Sequence, residues 1–150
     1  DSDSEDVIPF PAQTVAQTHT SPNSATIPLF GRIAAGTPIE AIRHEGEHID
    51  MPLSQLSHNS CYALQVEGDS MIQAGIFNGD TVIVARQDHA LDGQIVVALV
   101  DGCEVTLKRL KRLGDKIHLI PENPDFETQI FEAPRVQVQG VLHSLLRTYH

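Results

Sequence analysis

The sequence predicts a mainly β fold, made of twisted, partly closed antiparallel sheets with one or two short helical turns. Runs of β-branched and aliphatic residues of strand length recur between residues 61 and 142, and glycine, proline, aspartate and asparagine separate them. The first of these runs, 61–67, also alternates apolar with polar side chains, which is typical of a half-buried strand. Short strands at this spacing indicate a sheet-rich domain.

The strands follow one another along the chain. Order is expected to begin near Ile27. In the run 61–67, the alternation places Tyr62 and Leu64 on one face of the strand and Gln65 on the other. Five further runs have the length and composition of strands: 81–85, 94–100, 103–110, 116–120 and 136–142.

Turns and short helical segments complete the predicted fold. Asp101-Gly102 lies between two of the predicted strands and favours a tight antiparallel hairpin. One helical turn is predicted over residues 70–75 and a second over residues 53–56.

Residues 1–26 predict a flexible linker or tail, and residues 27–150 predict one folded domain. The first six residues are acidic or serine, and the remainder of the tail is rich in Pro, Ser, Thr and Gln without any periodicity. The folded part is long enough to bury a core of its own. Because tryptophan is absent and aromatic residues are few, that core is expected to be aliphatic.

Charge and cysteine content restrict the class of function. Ten basic and twenty acidic residues give a net charge of −10, so the chain alone is expected to bind nucleic acid poorly. Two isolated cysteines, Cys61 and Cys103, favour a reducing cytoplasm, with a disulfide between them as the alternative. No apolar run approaches the ~20 residues of a membrane span. We therefore expect a cytoplasmic protein with no membrane partner and no cofactor.

Ser70 and Lys108 are the residues whose types suggest catalysis. A buried lysine loses its proton readily and can then accept the proton of a serine hydroxyl. Ser70 precedes a predicted helical turn, where free backbone N–H groups could stabilise an oxyanion; a capping serine is the alternative. Lys108 shares a strand face with Thr106 and Leu110; a lysine on an exposed strand edge is the alternative.

The stretch of small residues over 33–38 is slim enough to enter an active site as a peptide substrate. Small side chains at Ala34 and Ala35 allow a close approach of the backbone, and Gly36 allows a sharp turn. Nucleophile, base and scissile bond could therefore all belong to this chain. We interpret the pattern as that of a self-cleaving serine–lysine peptidase.

Residues 44–48, with the sequence HEGEH, match the zinc-binding pattern H-E-x-x-H. That pattern holds a metal only on a helix, where the two histidines share a face. Gly46 in its centre and Pro52 shortly after it oppose a helix, so we expect a polar loop or an edge strand and no metal. A zinc hydrolase using His44 and His48 is the rival hypothesis.

Taken together, these residues resemble the LexA family of self-cleaving repressors and mutagenesis proteins, the S24-type peptidases. The resemblance runs from about Ile27 to Tyr149. Its landmarks occur in order and at matching spacing: 31–36 with Pro38, 68–71 with 75–76, 79–80, 93–98, 105–110 and 121–123. Residues 138–147 are similar to the closing strand of the family.

The resemblance implies a role for each candidate residue. Ser70 would be the nucleophile and neutral Lys108 the general base. The cut would fall between Ala35 and Gly36, with the backbone N–H groups of Asp69 and Ser70 as oxyanion donors. The resemblance also implies homodimers, formed partly through the C-terminal strand. It further implies stimulation by an activated RecA filament on single-stranded DNA, which favours a docked cleavage loop and a deprotonated lysine.

The sequence departs from the LexA pattern at its N-terminal end. Repressors of the family carry a winged helix-turn-helix there, and residues 1–26 could not form three helices. We expect the C-terminal part of an SOS-response repressor, with operator DNA contacted only through a domain absent from this chain. The Ala35-Gly36 pair favours this over a complete mutagenesis protein of the UmuD type, which tends to carry Cys-Gly. A non-catalytic dimerisation module is a further alternative.

Overall fold

The computed structural model of the chain describes residues 24–43, 46–52 and 60–147. Within these ranges, ten strands and three short 3-10 turns follow one another. The strands are β1 (Ser24–Ile33), β2 (Thr37–Pro38), β3 (His48–Pro52), β4 (Cys61–Val66), β5 (Thr81–Ala85), β6 (Ile95–Val100), β7 (Glu104–Leu113), β8 (Lys116–Ile120), β9 (Gln129–Glu132) and β10 (Val136–Leu146). The 3-10 turns span Ile39–Ala41, Ile72–Ala74 and Ala133–Arg135.

The strands form one sheet, which confirms the mainly β fold class. Their order in the sheet is β3-β1-β4-β5-β10-β6-β7-β8-β9, and β2 pairs with β7 beside this path. The pairing of β1 with β4 is parallel, and the other pairings are antiparallel. The path over the described residues ends at β3 and β9, so this sheet is open and mixed, whereas the sequence predicted partly closed antiparallel sheets.

Strand boundaries agree with the sequence in two strands that directly follow a Gly-Asp turn. β5 and β8 begin and end as predicted, and the Asp101-Gly102 hairpin between β6 and β7 is confirmed. Both turn residues have positive φ, 56° at Asp101 and 68° at Gly102, as a tight hairpin requires. The helical turn predicted over 70–75 is a 3-10 turn at Ile72–Ala74, and the one predicted over 53–56 lies outside the described residues.

Several strands differ from the prediction, and one alternative for the two cysteines is wrong. β1 begins at Ser24, so residues 24–26 belong to a strand and not to the predicted tail; residues 1–23 lie outside the described residues. β2, β3 and β9 are not among the predicted strands, although an edge strand is one expectation for the segment that contains His48. Cys61 is buried, Cys103 is exposed and both are free, so the alternative of a disulfide between them is wrong.

The core combines the predicted aliphatic side chains with one aromatic pair. Phe30 of β1 stacks on Tyr62 of β4, with ring centroids 5.1 Å apart. The fully buried Tyr62 hydroxyl donates a hydrogen bond of 2.9 Å to the backbone carbonyl of Gln139 in β10. This bond joins β4 to β10 across β5. Within the described residues, every helical segment is too short to cross a membrane.

An ion pair between Asp80 and Arg147 fastens the end of β10 to the loop before β5. The Asp80 side chain is 3% exposed, and its two carboxylate oxygens accept hydrogen bonds of 2.7 and 2.8 Å from Arg147. Arg147 also donates to the Gly75 carbonyl and lies over the Phe77 ring. Hydrogen bonding from Arg147 holds the pKa of Asp80 below its usual value of 3.8.

Replacing Arg147 by methionine is expected to destabilise the domain by about 2 kcal/mol at neutral pH, because it leaves a buried carboxylate without its charge partner. A carboxyl whose folded pKa is depressed stabilises the fold above its unfolded pKa and loses that contribution as the pH falls through the folded value. The difference between the two proteins should therefore shrink below about pH 4. Urea-induced unfolding of both proteins at neutral pH and below about pH 4 measures this difference in stability.

Arg135→Met is the matched control for this experiment. Its guanidinium pairs with Asp101 at 2.6 Å, but the two side chains are 49% and 44% exposed. Exposed pairs stabilise folds little, so this variant should lower the unfolding free energy far less than Arg147→Met does. Equal losses in both variants would contradict the role assigned to the Asp80–Arg147 pair.

Candidate active site

Ser70 lies in the loop between β4 and the 3-10 turn at Ile72–Ala74. Glu67, Gly68 and Asp69 are exposed and Ser70 is half-buried. Met71 occupies the capping position of the turn, and no side chain caps it. The capping interpretation of Ser70 is therefore wrong, and its hydroxyl is not engaged with the turn that follows.

The neighbourhood of Ser70 is held by the segment that follows β8. The Glu122 amide donates to the Ser70 carbonyl at 2.8 Å, and the Glu122 carbonyl accepts from the Gln73 amide at 2.8 Å. The buried Asn123 side chain donates to the Asp69 carbonyl at 2.8 Å. Glu122 and Asn123 thus fix the backbone on both sides of Ser70 and at Ser70 itself.

Arg109 connects this segment to β7. Its guanidinium donates to the Glu122 carboxylate at 2.7 Å and to the Gly93 carbonyl at 2.5 Å. The next residue back along β7 is Lys108. One strand therefore carries the candidate base and also the arginine that anchors the segment holding the candidate nucleophile.

Lys108 is buried in β7, between β6 and β8, with 3% of its surface exposed. The strand-edge interpretation of this lysine is therefore wrong. Burial lowers the pKa of Lys108 from 10.5 to about 8, because the charged ammonium loses its hydration. Its Nζ donates to the Thr106 hydroxyl at 2.6 Å. A neutral amine is thus accessible a little above physiological pH.

The carbonyl oxygen of Ala35 meets these two side chains. It accepts a hydrogen bond of 2.7 Å from the Thr106 hydroxyl and a longer one of 3.4 Å from Lys108 Nζ. A cavity of about 360 Å³ opens beside them, lined by Ala35, Lys108, Asp125, Phe126, Glu127 and Gln129. The structure therefore brings the predicted cleavage segment into contact with the predicted base.

Ser70 is not hydrogen-bonded to Lys108 or to Ala35. Within the described residues, the Ala35 carbonyl accepts from Thr106 and Lys108, and not from the Asp69 and Ser70 amides that were expected as oxyanion donors. Lys108 likewise donates to oxygens of Thr106 and Ala35. A neutral amine, which keeps two N–H bonds, can make both of these donations, as can an ammonium group.

The segment after Ala35 is added to the sheet. Thr37 and Pro38 form β2, which pairs with Val105 and Glu104 of β7. The Ile39 amide then donates to the Cys103 carbonyl at 2.8 Å. Residues 37–39 are thus fixed along the beginning of the strand that carries Lys108.

The model of the S24-like peptidase family matches residues 28–143, which include β7, the Ser70 loop and the Ala35 segment. The chain belongs to the S24-like peptidase family. A LexA repressor of Granulibacter bethesdensis is 55% identical over 127 residues, which cover 85% of this chain and 52% of that protein. A LexA repressor of Gluconacetobacter diazotrophicus is 53% identical over 134 residues, covering 89% of this chain and 53% of that protein. The chain spans about half the length of these relatives.

Sequence reasoning missed several residues of this S24-like site. Thr106 bridges Lys108 and Ala35, and its position two residues before Lys108 on the same strand face was a signal that could have revealed it. Glu122 and Asn123 belong to the 121–123 landmark of the resemblance, but neither was predicted to contact the Ser70 loop. Their contacts depend on the tertiary fold, so the local sequence holds no signal for them.

The rival zinc site at residues 44–48 is only partly covered by the described residues. His44 and Glu45 lie outside the described residues, and His48 is exposed at the start of the edge strand β3. Among the described residues, no group of three His, Cys, Asp or Glu side chains is placed to hold a metal ion.

Proposed function

We propose that this domain is a serine peptidase that cleaves its own chain between Ala35 and Gly36, with Ser70 as nucleophile and Lys108 as general base. The observation that carries the proposal is the contact of buried Lys108 with the carbonyl of Ala35. Burial of the lysine lowers its pKa to about 8, which provides an amine able to accept a proton near neutral pH. Family membership supports the same chemistry.

The proposed reaction has two steps. Lys108, having lost its proton to solvent, accepts the Ser70 hydroxyl proton while Ser70 Oγ bonds to the Ala35 carbonyl carbon. The bond to the Gly36 nitrogen then breaks, and the new amine leaves with the proton held by Lys108. Water next attacks the ester carbon while Lys108 takes one of its protons. Lys108 passes this proton to Ser70 Oγ as the ester bond breaks, and the Ala35 carboxylic acid loses its own proton to solvent.

The attack requires a rotation of the peptide between Ala35 and Gly36. Its carbonyl now accepts from Thr106 and Lys108, and it would turn toward the amides of Asp69 and Ser70 as negative charge develops on the oxygen. Tethering substrate and catalyst in one chain removes most of the entropic cost of bringing them together. Thr106 then acts as a positioning residue, because its hydroxyl orients the amine of Lys108.

We further infer that the chain serves as the C-terminal part of a cytoplasmic SOS-response repressor. The support is its similarity to proteins named LexA repressors, which are about twice its length. The proposed partners are a second copy of the chain and an activated RecA filament on single-stranded DNA. Operator DNA would be bound through an N-terminal domain beyond this chain, since a net charge of −10 disfavours binding by the chain itself.

Incubation at alkaline pH followed by mass spectrometry tests the proposed cleavage. The native chain should give fragments of 35 and 115 residues (150 − 35). Neither fragment should form in Ser70→Ala or in Lys108→Ala, because each variant lacks one member of the catalytic pair. A chelator should leave the rate unchanged, whereas the zinc hypothesis requires inhibition. Continued splitting after Ala35 in folded Ser70→Ala would refute the proposal.

A further inference from the structure

Thr37 closes a turn around the bond proposed to be cut. Its side-chain Oγ1 accepts a hydrogen bond of 2.8 Å from the Ala34 amide, three residues earlier. The bend between them contains Ala35 and Gly36. The direction of this bond is the reverse of that in an ordinary β-turn, where the carbonyl of the first residue accepts from the amide of the fourth.

The geometry of this turn is tied to β7 on both sides of the bond. Thr37 is 8% exposed and pairs with Val105, which is fully buried. On the other side, the Ala35 carbonyl accepts from Thr106 and Lys108 of the same strand. Thr37 is therefore the residue through which the two arms of the turn are held together at a fixed distance from the candidate base.

We infer that the Thr37 hydroxyl is a specificity determinant of the self-cleavage reaction, selecting a hydrogen-bond acceptor at the second position after the cut. The inference rests on the proposed function, since it assigns a role to a residue of the proposed substrate segment. The partly buried Ala34 amide needs an acceptor, and loss of that acceptor disfavours the docked turn relative to an undocked segment. Thr37 acts on docking and leaves the lysine and the serine unchanged.

Two substitutions separate the hydroxyl from the shape of the side chain. Thr37→Val keeps the branched shape and removes the acceptor, whereas Thr37→Ser keeps the acceptor and removes a methyl group. The self-cleavage rate of Thr37→Val at alkaline pH should fall about tenfold, and that of Thr37→Ser should stay within about twofold of the native rate. Equal rates in Thr37→Val and the native chain, or equal losses in both variants, would overturn the inference.

A second measurement reports docking without self-cleavage. In the Ser70→Ala background, pancreatic elastase should cut after Ala34 or Ala35, because it accepts small residues and needs an undocked segment. When opening and closing are fast, the cutting rate follows the population of the open state, so Thr37→Val should be cut about tenfold faster than Thr37→Ser. A tenfold larger open population lowers the unfolding free energy by about 1.4 kcal/mol, so the urea midpoint of Thr37→Val should fall by a corresponding amount. Global unfolding is excluded as the cause if elastase makes no cut within β4 to β7.

The two measurements distinguish failure of this inference from failure of the proposed function. If the native chain does not cleave itself but elastase still cuts Thr37→Val faster, the turn is real and the catalytic proposal is wrong. If self-cleavage proceeds but elastase cuts all variants at one rate, Thr37 does not control docking and the inference is wrong.

Discussion

Replacing Lys108 by methionine is expected to abolish self-cleavage and to make the folded domain more stable at neutral pH. Methionine has a similar length and no charge, so it can fill the same buried space beside Thr106. A lysine whose pKa falls from 10.5 to about 8 on folding costs the folded state roughly 3 kcal/mol at neutral pH. Loss of the hydrogen bonds to Thr106 and Ala35 offsets part of this, which leaves an expected gain of about 1–2 kcal/mol.

The pH dependence identifies the lysine as the source of this gain. Between about pH 8 and pH 10.5 the unfolded chain binds more protons at this site than the folded chain, so the stability of the lysine protein rises with pH. The advantage of methionine should therefore be about 2 kcal/mol smaller at pH 9.5 than at pH 7. The cleavage rate of the native chain should rise about tenfold per pH unit below pH 8 and level off above it.

Urea unfolding of Ser70→Ala and of Ser70→Ala/Lys108→Met at both pH values measures the difference without interference from self-cleavage. Burial raises the pKa of Tyr62, but this residue is common to both proteins and cancels. Lys111→Met is the control, because Lys111 is an exposed lysine on the same strand and should affect neither stability nor cleavage. A stability gain that does not vary with pH would show that the buried charge is not its cause.

Gly140→Ala is expected to cause a large loss of stability, because Gly140 has the tightest surroundings of the glycines in the described part of the chain. Gly140 adjoins the register shift of β10 against β6. A Cβ there would lie within 3 Å of Val84 Cγ1, the Ala85 carbonyl oxygen and the Tyr62 hydroxyl. Two of these neighbours belong to β5, which pairs with β10, so the backbone cannot retreat without breaking the ladder. We expect a loss of about 3 kcal/mol and a fall in Tm of roughly 10 °C.

A double-mutant cycle with Val84→Ala tests the steric cause. Val84→Ala removes the nearest of the three contacting atoms, so it should destabilise the Gly140→Ala protein less than it destabilises the native one. Thermal unfolding of the four proteins in the Ser70→Ala background gives the coupling energy. Strict additivity would mean that the added methyl group does not meet Val84.

The part of the fold that the sequence predicted is the part governed by local composition. β5 and β8 were located to the residue, because each begins directly after a Gly-Asp pair, at 79–80 and at 114–115. β9 was missed because it is short and lies at the end of the sheet, with three of its four residues exposed. β2 was missed because two residues carry no pattern, and its pairing with β7 exists only in the folded chain.

In the candidate site, too, individual residues were predictable from the sequence and the contacts between them were not. Ser70, Lys108 and Ala35 were found from residue type and from resemblance, yet alternation alone did not establish that Lys108 is buried, since Val105–Lys108 are buried on both faces of β7. The Thr106–Ala35 hydrogen bond joins residues 71 positions apart, and the Asn123–Asp69 bond joins residues 54 apart. Contacts over such separations follow from how the sheet is assembled, and no local pattern encodes them.

The position of β1 within the sheet determines what happens to the two fragments after a cut at Ala35. β1 lies between β3 and β4, with Ile27, Phe30 and Ile33 buried, and β3 pairs with β1 at the end of the path. Hydrolysis would sever β1 from the remainder of the chain without undoing one of these pairings. The two fragments would then remain associated until β1 dissociates. Its dissociation would leave β3 without its partner in the sheet and would expose the backbone edge of β4. Cleavage and dissociation of the fragments would thus have separate rates, and the rate of dissociation would depend on how strongly β1 is held by β3, by β4 and by the core.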